Sequence, residues 1–380
     1  MERPRVLFVS RTRYRLPLNA SLARKWDALE EELDLRVLAT GADGQARSGP
    51  FVLMAAGGPR GLGSAVFWLL LPLRVARLLR TFRPDAVVAQ SPYEAAAALL
   101  ARRIAGSHAR VVSDVQGDWS SATRLYGAPL RAALSPLADA VASRALRRVD
   151  AVRTISPYTT GLVRELGLEP AASFPTFVDL EAFLERVPVE PPTQPVALFV
   201  GVLEPYKNID GLADAWRRVS TTLPDAKLHV VGQGTREDVL AALLLERPDS
   251  VRWTPELDAH EVSQALDEAS LLVLPSRSEG MGRVIIESFC RARPVVGTRV
   301  GGIPDLVDDG RNGLLVEPGS TGALAEAMVR LLGDGALARR LGKTAYESAK
   351  PWLQTPAQFA SRTRALVELA CARPARGALP

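Results

Sequence analysis

Two glutamates bracket a glycine-bearing run, Glu279-Gly-Met-Gly-Arg-Val-Ile-Ile-Glu287. Gly280 and Gly282 let a backbone approach a ligand closely. Val284–Cys290 has helical character, and the opening N–H groups and positive dipole end of such a helix suit a phosphate. Glu279 sits in the loop and can accept hydrogen bonds from sugar hydroxyls. Glu287 falls inside the helix, where side chains lean toward the N-terminus, so it can face the same crevice. A carboxylate there could bind two vicinal ribose hydroxyls. Either glutamate alone reads as a solvated or capping residue. The pair, bracketed by glycines and flanked by apolar core, reads as a site.

The elements around the pair form one βαβ unit: an apolar strand at Leu271–Leu274, the loop Pro275–Gly282, the helix, and a strand opening at Pro294. In open parallel sheets, loops at the carboxyl ends of the strands form the ligand crevice. Further short apolar runs read as buried strands at Val6–Val9, Ala86–Ala89, Val111–Val115, Ala151–Ile155, Val196–Val200 and Lys227–Val231. Helical stretches, such as Ala323–Leu332, alternate with them. This order predicts an α/β fold with parallel sheets covered on both faces. The proline-rich segment Phe174–Pro195 reads as a linker. The expected organisation is a first domain over 1–187, a second over 188–350, and a helix and tail over 351–380 that packs back on the first domain.

At 380 residues, with 47% hydrophobic and 23% charged content, the chain is an ordinary two-domain globular protein. Its two cysteines, Cys290 and Cys371, make no disulfide framework or metal motif. With no signal-peptide pattern at the start, a cytoplasmic location is expected. Residues 1–175 hold 24 Lys+Arg against 15 Asp+Glu, so the first half is basic and the rest acidic. That imbalance points to anionic partners or to a solvated arginine-rich face. The stretch Ser64–Leu71, followed by Pro72, Arg74, Arg77 and Arg80, is too short to span a bilayer. We read it as a buried helix covering the first sheet, with an interfacial membrane helix as the alternative. No aromatic-basic interleaving supports nucleic-acid binding.

The glutamate run resembles the signature of the retaining glycosyltransferases of family four. So do Val300-Gly-Gly-Ile-Pro-Asp305, Gly310-Arg-Asn-Gly-Leu-Leu315 and Phe199-Val-Gly-Val-Leu-Glu-Pro-Tyr-Lys-Asn208. The resemblance covers nearly all of residues 190–340 and is looser before that. It implies the GT-B fold, two Rossmann-like domains with parallel sheets facing across a cleft. It also implies transfer of a hexose-type sugar from a UDP- or GDP-sugar with retention, no cofactor and no metal. The acceptor would be a glycan, glycolipid or small molecule, and the setting polysaccharide or glycoconjugate biosynthesis. Glu279 would contact the donor sugar, the backbone of Gly280, Met281 and Gly282 would line sugar and phosphate, and Glu287 would hold the ribose. Gly201 would open a second loop in which Lys207, followed by Asn208, neutralises the donor diphosphate. The leaving diphosphate can then take the acceptor proton, so catalysis is mostly positioning and charge stabilisation.

Three positions depart from the family pattern. Val202 stands where an arginine usually follows the loop glycine, and Arg283 stands where an apolar residue is usual. Arg283, at a helix N-terminus, would supply the missing charge. Gln116 replaces a histidine usual after the strand Val111–Val115 and would hold a sugar hydroxyl without carrying a proton. Asp118 would orient the acceptor. The arginines of an opening loop, Ser10–Pro17, add to the case for an anionic or lipid-linked acceptor at a membrane face. Two other readings stay open: a non-catalytic nucleotide-sugar-binding or scaffold protein, and a nucleotide-sugar epimerase.

Overall fold

The computed structural model describes residues 2–44, 46–55, 62–120 and 135–373. The chain divides into two compact units, Met1–Phe177 with Gln354–Pro380, and Val178–Leu353.

The first unit holds an eight-stranded sheet. Its strands are β1 (Arg5–Tyr14), β2 (Asp34–Gly41), β3 (Ala46–Ser48), β4 (Phe51–Ala55), β5 (Ala86–Ala89), β6 (Arg110–Val115), β7 (Ala151–Thr154) and β8 (Ala172–Ser173). They lie in the order β3-β4-β2-β1-β5-β6-β7-β8. Only the β3–β4 pair is antiparallel among the described strands. The helices are α1 (Ala20–Glu32), α2 (Leu62–Thr81), α3 (Pro92–Ala105), α4 (Ser135–Leu146) and α5 (Pro157–Glu165). One sheet face is packed by α1 and the last helix of the chain, with Trp26, Phe51, Phe359 and Leu366 in the core. The other is packed by α2, α3, α4 and α5 through Phe67, Leu71, Val75, Ala98, Leu146 and Val163.

The second unit holds a six-stranded parallel sheet of β9 (Val196–Val200), β10 (Lys227–Val231), β11 (Val251–Thr254), β12 (Leu271–Leu274), β13 (Val295–Thr298) and β14 (Gly313–Val316). Its order is β11-β10-β9-β12-β13-β14. Its helices are α6 (Glu181–Leu184), α7 (Ile209–Thr222), α8 (Glu237–Glu246), α9 (Ala259–Asp267), α10 (Arg283–Cys290), α11 (Thr321–Gly333) and α12 (Gly335–Ala349). The final helix, α13 (Pro356–Ala372), follows a Thr355/Gln358 capping box and returns to the first unit against α1. Central strands buried on both faces explain why their sequences are nearly all apolar.

Three expectations are corrected. The division falls between Phe177 and Val178, earlier than residue 187, and the return falls at Gln354. The cause is a pair of fully buried arginines on the second unit. Arg291 binds the Asp267 carboxylate and the carbonyls of Phe183, Arg186 and Val187. Arg293 binds the carbonyls of Val189, Leu266 and Asp267. Each guanidinium has too many donors to be buried without such partners, so the prolines of 188–195 are clamped rather than free. Next, the segment Ser10–Tyr14 is strand, not loop. After an irregularity between Val9 and Arg13, β1 continues and buries Tyr14 against Trp26 and Phe51. Finally, α2 runs on through Pro72 to Thr81. Its inner side is buried as expected, but Val66, Leu69 and Leu73 remain exposed. Among the described residues no helix is long and apolar enough to cross a membrane.

Candidate active site

Strand order in the second sheet turns back between β9 and β12, where neighbouring loops leave in opposite directions and open a crevice. Both loops singled out from the sequence leave from these two strands. After β9, Gly201 begins a turn that ends in one helical turn, Pro205–Lys207, and Asn208 in the left-handed region at the start of α7. After β12 comes the glutamate loop. The Arg277 N–H donates to the Tyr206 carbonyl at 2.7 Å and ties the loops together. Lys207 Nζ donates to Glu279 Oε2, with both side chains nearly buried. Lys207, Asn208, Glu279 and the glycine run are therefore brought together by adjacent strands.

The glutamate loop is held from behind by its own backbone. The Gly302 N–H donates to the Glu279 carbonyl at 3.0 Å. A Cβ on Gly301 would lie 1.9 Å from that same oxygen. Val300-Gly301-Gly302 is thus glycine-rich because the chain passes too close for a side chain. Gly282 has φ 73° and starts α10, with Met281 buried beside it. Arg283 is the first residue of α10 and is exposed.

Glu287 lies one helical turn beyond Arg283. Burial of its carboxyl raises its pKa above the usual carboxylate range, and the nearby Arg283 charge partly offsets the rise. Among the described residues it has no hydrogen-bonded partner, so its oxygens are available to hydroxyl donors. Val202 is half exposed and carries no charge into the loop. Arg277 was not singled out from the sequence, because an isolated loop arginine carries no pattern. Its backbone N–H ties the two loops, and its side chain is exposed.

Gln116 and Asp118 belong to the first unit, at the end of β6. Gln116 donates to Asp114 at 2.8 Å, and Asp114 is itself paired with buried Arg153 at 2.7 Å. Asp118 accepts from the Ser120 N–H at 2.8 Å and hydroxyl at 2.7 Å. These bonds are all local to the first unit. The first sheet has its own reversal of order, between β1 and β5. There Thr12 donates to Gln90 at 3.3 Å, and the Ser91 hydroxyl donates to buried Glu94. Burial pushes the Glu94 carboxyl up to about 7, against smaller lowering effects from its own backbone and Arg11. In sequence, Ser91-Pro-Tyr-Glu94 reads as an ordinary helix cap, which hides this group. His229 is no acid–base candidate. Burial and Arg252 push it down to about 4, and it is bonded to Thr254 at 2.9 Å.

Residues 19–175 match the model of a glycosyl transferase 4-like domain, and residues 181–348 match that of glycosyl transferases group 1. The D-inositol 3-phosphate glycosyltransferase of Nocardia farcinica is 34% identical over 175 residues, 43% of this chain and 39% of that protein. Curated relatives are spanned over 31% to 53% of their length. Sucrose-phosphate synthase from Thermosynechococcus elongatus aligns over 98% of this chain and 100% of its own, with TM-score 0.78 and 20% identity. Anabaena HepE in complex with UDP-glucose aligns over 95% and 99%, with TM-score 0.69 and 18% identity. With both units matched by family models and the fold shared along its whole length, this chain belongs to the family-four, group 1 glycosyltransferases of GT-B fold.

Proposed function

We propose that the protein is a retaining glycosyltransferase that moves a hexose-type sugar from a UDP- or GDP-sugar to an anionic, lipid-linked or glycan acceptor without a metal. The observation that carries the reading is the joining of Lys207 to Glu279 at the switch point of the second sheet, beside the glycine run and the half-buried Glu287. Lys207 holds the donor diphosphate, with Arg283 and the first N–H groups of α10 beside it. Glu279 orients the sugar, and Glu287 takes the ribose hydroxyls. The departing diphosphate accepts the acceptor proton, so rate comes from positioning and from stabilising leaving-group charge. A fold neighbour holds UDP-glucose, and a relative is named for a phosphorylated inositol acceptor. Both fit this reading and the basic first half of the chain. The enzyme works in the cytoplasm, in peripheral contact with the inner face of a membrane.

A second reading, a nucleotide-sugar binder without turnover, is favoured by the uncharged Val202 and by the engagement of Gln116 and Asp118 in local bonds. Calorimetry with UDP, GDP and their hexose conjugates tests both, using wild type and Glu287→Ala. Tight binding of one nucleotide that the variant loses supports the donor site, and sugar release with acceptor separates enzyme from binder. No binding of any nucleotide by the folded chain would remove both readings.

A further inference from the structure

The helices α2, α3 and α4 lie side by side over one face of the first sheet. Their inner sides fill the core with Phe67, Leu71, Val75 and Ala98. Their outer sides carry a second set of apolar residues that the core does not use. Val66, Leu69, Leu73, Leu100, Ile104, Leu137 and Val141 are seven of the fifteen exposed large hydrophobics among the described residues. Leu69 is 76% exposed and Leu137 65%.

Spacing organises this surface. On α2 the outward stripe is Val66, Leu69, Leu73, Arg77, Arg80, at steps of three and four. On α4 and its extension it is Leu137, Val141, Arg144, Arg148. Each stripe is apolar first and basic last. Between α3 and α4 runs a groove of about 520 Å³, lined by Leu100, Val141, Arg103, Arg144 and Arg148 among others. The only described carboxylates on the three helices are Glu94, which is buried, and Asp139, which is half-buried. Each helix connects parallel strands and so runs against them. The apolar ends of α2 and α4 therefore lie toward the carboxyl edge of the sheet.

We propose that the outer face of α2, α3 and α4 docks on an anionic lipid bilayer, leucines at the acyl boundary and arginines among the headgroups. Charge complementarity selects the occupant. A neutral apolar partner leaves the arginines unpaired, and a nucleic acid leaves the leucines in water. An anionic bilayer satisfies both along the same stripe. The inference deepens the peripheral-membrane part of the reading above and needs neither the donor nor the reaction.

Co-sedimentation of the full chain with vesicles tests it, using phosphatidylcholine with and without phosphatidylglycerol. Wild type is expected to partition to the anionic vesicles, and less so as salt rises. The pair Leu69→Gln and Leu73→Gln lowers partitioning on the order of tenfold at any salt. Each of Arg144→Gln and Arg148→Gln lowers it about fivefold and flattens the salt dependence. Leu245→Gln, at an 85% exposed position of the second unit, leaves it unchanged. Thermal melting followed by circular dichroism reports folding in every variant. Absence of anionic-vesicle binding by folded wild type overturns the proposal. So does equal partitioning of the face variants and Leu245→Gln, or duplex DNA binding that needs the arginines but not the leucines. Vesicle binding by wild type that binds neither UDP nor GDP would sink the donor reading and leave this one standing.

Discussion

Lys207 Nζ donates a hydrogen bond to Glu279 Oε2 from the loop after β9 to the loop after β12, across the one reversal of order in the second sheet. Each charge is the other's partner in a nearly dry place, so the cation expected to meet diphosphate and the carboxylate expected to meet sugar are pre-set by one contact. Truncating Lys207 to Ala removes a charge-assisted bond to phosphate and should weaken UDP binding ~10–100-fold. Glu279→Gln should leave UDP affinity within about threefold while abolishing the gain that UDP-glucose has over UDP. Calorimetry with both ligands separates these roles. Equal loss of UDP by both variants would make the pair a structural unit and not two ligand contacts.

Gly301→Ala places a methyl where only 1.9 Å separates it from the Glu279 carbonyl, at φ 55°. The glutamate loop must shift, and donor binding should fall more than tenfold, a loss of over about 1.4 kcal/mol. Gly310→Ala is the control. Its φ is 77° but its surroundings are open, so it should cost only about 1–2 kcal/mol of backbone strain and leave donor affinity alone. Urea melts and titrations on the two proteins decide it.

Glu94 predicts a stability slope. Its carboxyl is raised from 4.5 to about 7, so the folded chain holds this proton more tightly than the unfolded chain does. Stability from this site is full below the ordinary carboxylate range and falls as pH rises through about 7, by on the order of 3 kcal/mol. Glu94→Gln should flatten that part of the profile. Identical slopes in wild type and variant, from urea unfolding at stepped pH, would dismiss the buried carboxyl as their source.

Arg283 stands one turn before Glu287 and lowers its otherwise raised pKa. Arg283→Ala should raise the donor KM about tenfold, the value of one charge-assisted bond. It should also move the acid limb of donor binding to higher pH, because Glu287 then protonates more readily. Arg283→Lys should restore part of the affinity. An unchanged donor KM in the alanine variant would leave Arg283 as a surface residue.

Much of the second unit was legible because its strands are short, buried and almost wholly apolar, as at Leu271–Leu274 and Val196–Val200. The glycine-bracketed glutamates could be read for the same reason: backbone contact demands residue types that pattern alone reveals. The first unit was less open. The strand Asp34–Gly41 begins with alternating polar residues, and Ser10–Tyr14 hides an irregular strand behind two arginines. The linker misled because proline content suggests freedom, whereas Arg291 and Arg293 act from a hundred residues away in sequence. The Lys207–Glu279 bond spans two loops and has no local signature, so only the strand order reveals it.

The second unit is one unbroken stretch, Val178–Leu353, set between the two parts of the first. As the chain leaves the ribosome, that stretch can complete its sheet while the first unit still lacks α13. Until Phe359, Leu366 and Val367 arrive, the face that α1 covers only in part, with Phe174 and Phe177, stays unfinished. The domain translated first is thus the last to close. Its unfinished side is the surface a nascent-chain chaperone would have to cover.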